Sequence, residues 1–305
     1  MKSAVLFLIF KRPDTTRRVF ERIKEAQPPR LYIAADGPRK DRPEEVEKCS
    51  MTRQIVENID WPCEVRRLYR DENLGCGKGV SSAITWFFEH EEQGIIIEDD
   101  ILPHIDFFRY CDEMLERYKD DERIQLIAGR NFLYDGYKSH YSYFMTSFGH
   151  IWGWASWRRV WDTYEFDVNN LSKEMYIKNL YLRFPPKTAK YYERMFDEML
   201  QFKIDTWDSQ FAINRFYYGR YSILPVVNMI ENIGFDSSDA THTTSKNKRE
   251  ANFKAASPYP LIHPKVLTVD EKLELLSMYN SGAYVRPLYR RLLSKVKSLI
   301  VGHLK

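Results

Sequence analysis

The chain has 305 residues, enough to bury a substantial core, and its 46 basic and 43 acidic residues leave a net charge of only +3. That balance excludes a global electrostatic attraction to nucleic acid. No stretch approaches the roughly 20 apolar residues of a membrane span. The four cysteines, Cys49, Cys63, Cys76 and Cys111, form neither a CxxC pair nor a zinc-ligand spacing, so free thiols in a reducing, cytoplasmic setting are expected.

The apolar run at residues 4–10 is short for a leader peptide and passes into Lys11-Arg12-Pro13 without a small-residue cleavage site, so it reads as a first core strand. Val19, Phe20 and Ile23 have the spacing of a helix over 15–26, and residues 30–35 read as a second strand, completing a βαβ unit. A polar segment follows, with a helical pattern running to Ile59 and a third strand at 64–69. Asn73-Leu74-Gly75-Cys76-Gly77-Lys78-Gly79 reads as a turn into a helix over 80–90. It has neither P-loop nor GxGxxG spacing, and a plain tight turn competes with a role for its amides and Lys78 in meeting a phosphate or ribose.

Gly94-Ile95-Ile96-Ile97-Glu98-Asp99-Asp100-Ile101 is the most informative stretch. Unbroken β-branched residues predict a strand buried on both faces, so the three acids fall at its carboxyl end, the rim where open α/β sheets bind ligands. Adjacent carboxylates repel unless a cation offsets them, and hard Mg²⁺ or Mn²⁺ take such oxygen ligands. The competing reading is a solvated acidic turn, with Asp100 capping a helix that begins near Asp106. Lys11, Arg12 and Asp36 follow strands one and two and are expected on the same rim. Beyond Ile124 strands and helices no longer alternate, aromatic residues crowd between Phe132 and Trp161, and a helical segment covers 189–202. There is no internal repeat and no Gly/Ser-rich linker. The expected architecture is a doubly wound, mostly parallel α/β sheet: a nucleotide-type half at 1–123, an acceptor-side half of the same unit at 124–260, and a helical extension at 261–305.

The order Lys11-Arg12-Pro13 after a strand, Ala34-Ala35-Asp36-Gly37, Asn73-Leu74-Gly75, and Ile97-Glu98-Asp99-Asp100 ahead of Asp106-Phe107-Phe108 resembles the nucleotide-sugar half of GT-A glycosyltransferases, among them N-acetylglucosaminyltransferase I. Trp152-Gly153-Trp154-Ala155-Ser156-Trp157 is similar to an aromatic segment of bacterial family 2 enzymes of surface-polysaccharide synthesis. The resemblance implies a GT-A fold and transfer of a sugar, with inversion, from a uridine-type nucleoside-diphosphate donor to a glycan or lipid-linked glycan. It implies that Asp100 binds Mn²⁺ or Mg²⁺, that Asp99 and Glu98 orient the metal and touch sugar or ribose, and that Asp36 and Arg12 meet the nucleotide. Lys11, Asn73, Gly75 and Lys78 complete the expected donor side. In the segment Asp205-Thr206-Trp207-Asp208-Ser209-Gln210, Ser209 replaces the acid that serves as base in the family, leaving Asp208 as the expected base and Asp205 in reserve. Trp152, Trp154 and Trp157 are candidate acceptor platforms, about one of which is expected to touch sugar while the others fill the core. His242, in a polar loop, is a candidate to complete the metal shell or a plain surface histidine. The segment 284–305 reads as a basic amphipathic helix that suits the inner face of the cytoplasmic membrane, the core or a second subunit. Two other classes remain open: a sugar-phosphate nucleotidyltransferase, although the Gly-rich signature with trailing Arg and Lys is missing after strand one, and a non-catalytic glycan- or nucleotide-binding module.

Overall fold

A computed structural model describes residues 1–133, 139–202, 205–234 and 254–281. The first hundred residues fold as strands and helices in alternation: β1 (Ala4–Ile9), α1 (Pro13–Ala26), β2 (Arg30–Ala35), α2 (Glu44–Ile55), β3 (Glu64–Tyr69), α3 (Gly75–His90) and β4 (Gln93–Glu98). A short β5 (Ile101–Pro103) and α4 (Asp106–Arg117) lead to β6 (Ile124–Ala128), β7 (Tyr143–Thr146), β8 (Trp154–Trp157) and α5 (Arg158–Trp161). Three helices, α6 (Lys173–Arg183), α7 (Pro186–Phe202) and α8 (Asp208–Tyr217), precede β9 (Tyr221–Pro225), β10 (Ile230–Asn232) and α9 (Glu271–Ser281).

Eight strands form one sheet in the order β3-β2-β1-β4-β8-β6-β9-β7, and β5 pairs with β10 in a separate two-stranded ribbon. The strands β3, β2, β1 and β4 are parallel, β8 runs antiparallel to both β4 and β6, and β9 is parallel to β6. The result is the expected mixed α/β class with a large, mostly parallel sheet. Ile95, Ile96 and Ile97 have no exposed surface, as a strand covered on both faces requires. The sheet passes through the expected boundary at residue 123, since β1 to β4 and β6 to β9 share it and its core. A second apolar cluster lies under α6, α7 and α8, where Tyr176, Leu180, Phe196 and Phe216 meet.

Two local expectations are corrected. Helix α3 begins at Gly75 rather than at residue 80, so the glycine segment is its first turn. Asp100 does not cap the next helix, because β5 intervenes and α4 starts only after Ile105.

Candidate active site

The acid run lies where its position at a strand end requires. Since Leu8 of β1 pairs with Glu98 of β4, the connections leaving both strands emerge side by side. Phe10 donates its backbone N–H to Asp99 Oδ2 at 3.2 Å. Arg12 Nη1 donates to Asp99 Oδ1 at 3.2 Å and to Asp100 Oδ2 at 2.6 Å, so one guanidinium straps two consecutive carboxylates. Burial pushes the Glu98 carboxyl up from its ordinary value, and the charges of Asp100, Asp99 and Asp208 push it further. Asp99 is also raised by burial, with Arg12 pulling the other way. Burial works against the Arg12 charge, but Asp99 and Asp100 outweigh it and raise its pKa. From the far side Gly234 closes on this group: a Cβ there would lie 2.4 Å from Asp100 Oδ2, so any larger residue would have to displace the carboxylate.

These donors suit a hard divalent cation. Among the described residues no three His, Cys, Asp or Glu side chains form a metal cage. Asp99 is buried with both oxygens engaged, whereas among the described residues nothing donates to Asp100 Oδ1, so Asp100 matches the habit of Mg²⁺, which is held by one or two carboxylates together with substrate phosphates and water. His242 lies outside the described residues.

On the opposite flank, Asp36 follows β2 and accepts backbone N–H bonds from Leu74 at 3.1 and 3.0 Å and from Gly37 at 3.2 Å. Burial raises its pKa and these bonds partly offset the rise. Asn73 is committed to the same turn, donating to the Gly37 carbonyl at 3.0 Å and accepting from the Gly75 N–H at 3.1 Å. The amides at the start of α3 are occupied by protein: Asp205 Oδ2 accepts from the Cys76 N–H at 3.0 Å and Oδ1 from the Gly77 N–H at 2.8 Å. A carboxylate therefore takes the place that a phosphate or ribose was expected to fill. Gly75, at φ +81°, admits it, since a Cβ there would lie 2.6 Å from Asp205 Oδ2.

That geometry separates the two candidate bases. With each oxygen of Asp205 engaged by an α3 amide, this side chain anchors the start of that helix. Asp208 differs, because both its bonds fall on one oxygen: Thr206 Oγ1 and the Ser209 N–H, at 2.8 Å, donate to Oδ1. Among the described residues nothing donates to Oδ2, so the side chain is oriented yet keeps an acceptor available.

Two further expectations are corrected. Lys11 does not face a donor: it is buried, with its Nζ 2.7 Å from Glu45 Oε1 on α2. Trp154 and Trp157 offer no platform for a sugar, because both faces of β8 are covered. Trp154 is fully buried and stacks on Trp207 at 5.8 Å, and Trp157 donates its Nε1–H to the Leu115 carbonyl at 3.2 Å. Trp152 is only partly buried, under the Arg130 guanidinium at 4.2 Å. Because β8 reverses between β4 and β6, the carboxyl end of β6, and with it Arg130, reaches the rim that carries Glu98. Lys78 is exposed in the first turn of α3.

Cys76 is the rim residue that sequence reasoning passed over. Burial pushes its thiol up to about 12, and the charges of Glu98, Asp205, Asp208 and Asp36 add to the effect, so carboxylates from three separate segments surround it. Its place between two glycines at a helix start was the available signal. Gly234 carried none, since nothing in the local sequence ties it to Asp100.

No protein-family model and no curated relative matches the sequence. Among solved structures the chain is similar to HddC from Yersinia pseudotuberculosis, with 12% identity over 54% of this chain and 81% of that one and a TM-score of 0.34. It is also similar to a UDP-glucose pyrophosphorylase complexed with UDP-glucose, with 10% identity over 74% of this chain and 90% of that one and a TM-score of 0.37. Neither likeness bears on the chemistry.

Proposed function

We propose that the chain is a transferase acting on a nucleotide-linked sugar held at the carboxyl rim of the sheet, with glycosyl transfer as the reaction. The observation that carries this reading is the convergence of Glu98, Asp99 and Asp100 from β4, Asp36 from β2 and Asp208 from the start of α8 on one edge, with Arg12 strapping the acids. Asp100 would hold Mn²⁺ or Mg²⁺ against the donor's diphosphate with Asp99 orienting the site, and the cation would supply charge neutralisation as the nucleoside diphosphate departs. Arg12, already turned to these acids, would keep both in register when phosphate arrives. Asp36 would position the nucleoside side of the donor. Asp208 would take the acceptor hydroxyl proton on Oδ2 while Thr206 and Ser209 fix its orientation through Oδ1. Trp152, the partly buried one of the three tryptophans in its segment, would meet the acceptor sugar.

Nucleotidyl transfer to a sugar phosphate is the second reading. It needs no base, because a phosphate nucleophile is already ionised. Against it, β1 runs through only Phe10, Lys11 and Arg12 into α1, leaving no room for a glycine-rich phosphate loop. One experiment separates the readings. The protein is incubated with a panel of nucleotide sugars and Mn²⁺, with and without pyrophosphate. Release of nucleoside diphosphate without pyrophosphate supports glycosyl transfer, pyrophosphate-dependent formation of nucleoside triphosphate and sugar phosphate supports nucleotidyl transfer, and binding without turnover leaves a non-catalytic binding module.

A further inference from the structure

Away from the rim, the hairpin of α6 and α7 presents an unusual surface. The two helices bury one face together: Tyr176 and Leu180 of α6 meet Tyr192 and Phe196 of α7 over Phe216. Their opposite faces therefore turn outward together. On α6 that outer face holds Met175, Lys178 and Leu182 at i, i+3 and i+7, with Tyr181 beside them. Leu182 is 75% exposed, Met175 50% and Tyr181 46%. A single exposed leucine needs no explanation, but a leucine and two tyrosines on one tip do, Tyr191 of α7 being the third at 40%.

Charge says what would cover them. From residue 178 to residue 191 the chain carries four cations and no carboxylate, and the next acid on α7, Glu193, accepts from the Tyr181 hydroxyl at 3.4 Å. Arg183 turns inward to the carbonyls of Gly219 and Arg220. Lys178, Lys187 and Lys190 are exposed, and among the described residues none joins an ion pair. The far end of the hairpin differs, since Lys173 is neutralised there by Asp197 at 2.6 Å. Protein interfaces deplete lysine from their apolar centres, whereas lysines around exposed leucine and tyrosine fit a headgroup layer, where the ammonium groups meet lipid phosphates and the apolar groups enter the acyl boundary.

We propose that the tip of the α6–α7 hairpin is a docking surface for an anionic lipid bilayer. The proposal is independent of the reaction assigned to the rim. It is tested with the full-length protein by sedimentation with phosphatidylcholine vesicles, with and without about a third phosphatidylglycerol. The wild type should bind the anionic vesicles and leave them at 1 M salt, where the Debye length is about 3 Å. Replacing all three lysines together (Lys178→Gln, Lys187→Gln, Lys190→Gln) should weaken partitioning roughly 100-fold. Tyr181→Ser with Leu182→Ser should also release the protein, with circular dichroism and the unfolding midpoint unchanged because these groups are exposed. Residues 282–305 remain in every variant, so retained binding by the triple lysine variant overturns the proposal in favour of a contact elsewhere. Absence of wild-type binding overturns it too, as does a dimer in sedimentation equilibrium that Leu182→Ser dissolves, since the occupant is then a second copy.

Discussion

Glu45 offers the sharpest quantitative test of how the donor side is built. Its carboxylate is buried, with its side chain only 2% exposed, and it accepts from Lys11 Nζ at 2.7 Å, from the Arg39 backbone N–H at 3.1 Å and from the Arg39 guanidinium. Burial alone would raise its pKa, but the bonds from Arg39 and Lys11 win and hold it at about 2 instead of the ordinary 4.5. A carboxyl held down by that margin stabilises the fold by about 3 kcal/mol at neutral pH, and the partial exposure of Arg39 brings the expectation to about 2–3 kcal/mol. The unfolded chain takes up the proton below its ordinary value and the folded chain only near 2. The stabilisation is therefore complete above about pH 5 and is lost as pH falls toward 2. Glu45→Gln should accordingly lower the free energy of unfolding by about 2–3 kcal/mol at pH 7, or the melting temperature by about 4 °C, and by only about 1 kcal/mol at pH 3. Urea unfolding of wild type and variant at both pH values measures the difference. Lys11→Gln should lose only part of that stabilisation, since the Arg39 bonds to Glu45 remain, and leave donor affinity unchanged, because Lys11 serves Glu45. A Glu45→Gln difference that does not change with pH would refute the reasoning, and a Lys11→Gln protein of normal stability that no longer binds donor would return Lys11 to the substrate.

At the rim, Asp100→Asn removes one ligand charge at an open edge, so Mn²⁺-dependent nucleotide binding and turnover should fall while the fold persists; full activity in excess chelator would exclude the metal. Asp208→Asn keeps its bond from Ser209 but loses the proton acceptor, so the donor should still bind while transfer drops roughly 10² to 10⁴-fold. Asp205→Ala should instead cost about 1 kcal/mol of stability by freeing the Cys76 and Gly77 amides, with donor hydrolysis kept within a few-fold. Exchange of these two outcomes would move the base three residues upstream.

Much of the first hundred residues was legible because β1, β2 and β4 are runs of largely apolar residues flanked by polar turns, as strands buried on both faces must be, while the edge strand β3, Glu64–Tyr69, is polar and less buried. The acid triplet was legible for a related reason: a charge cluster directly after such a run can only fall at a strand end. The second half yielded less. Strands β7, β8 and β9 have four or five residues each, and nothing within Trp154–Trp157 encodes that β8 runs against its neighbours or that both of its faces are covered. Its tryptophans look alike in the sequence, yet Trp154 and Trp157 are core and Trp152, just outside the strand, is not.

The roles misassigned on the donor side share one physical cause. Lys11 and Asp205 carry the charges that phosphate or acceptor chemistry would use, but each meets a partner far away in sequence: Glu45 for Lys11, and the amides of α3, 128 and 129 residues away, for Asp205. A cation or carboxylate near a rim is free for substrate only if the fold has not already neutralised it, and which group is neutralised depends on long-range contacts without local sequence periodicity. The same criterion singles out Asp208. Its two protein bonds converge on Oδ1 and leave Oδ2 open, whereas Asp205 spends one oxygen on each amide. Two aspartates three residues apart, indistinguishable by composition, thus differ in how the fold occupies their oxygens, and the variants Asp205→Ala and Asp208→Asn test what that difference means for the reaction.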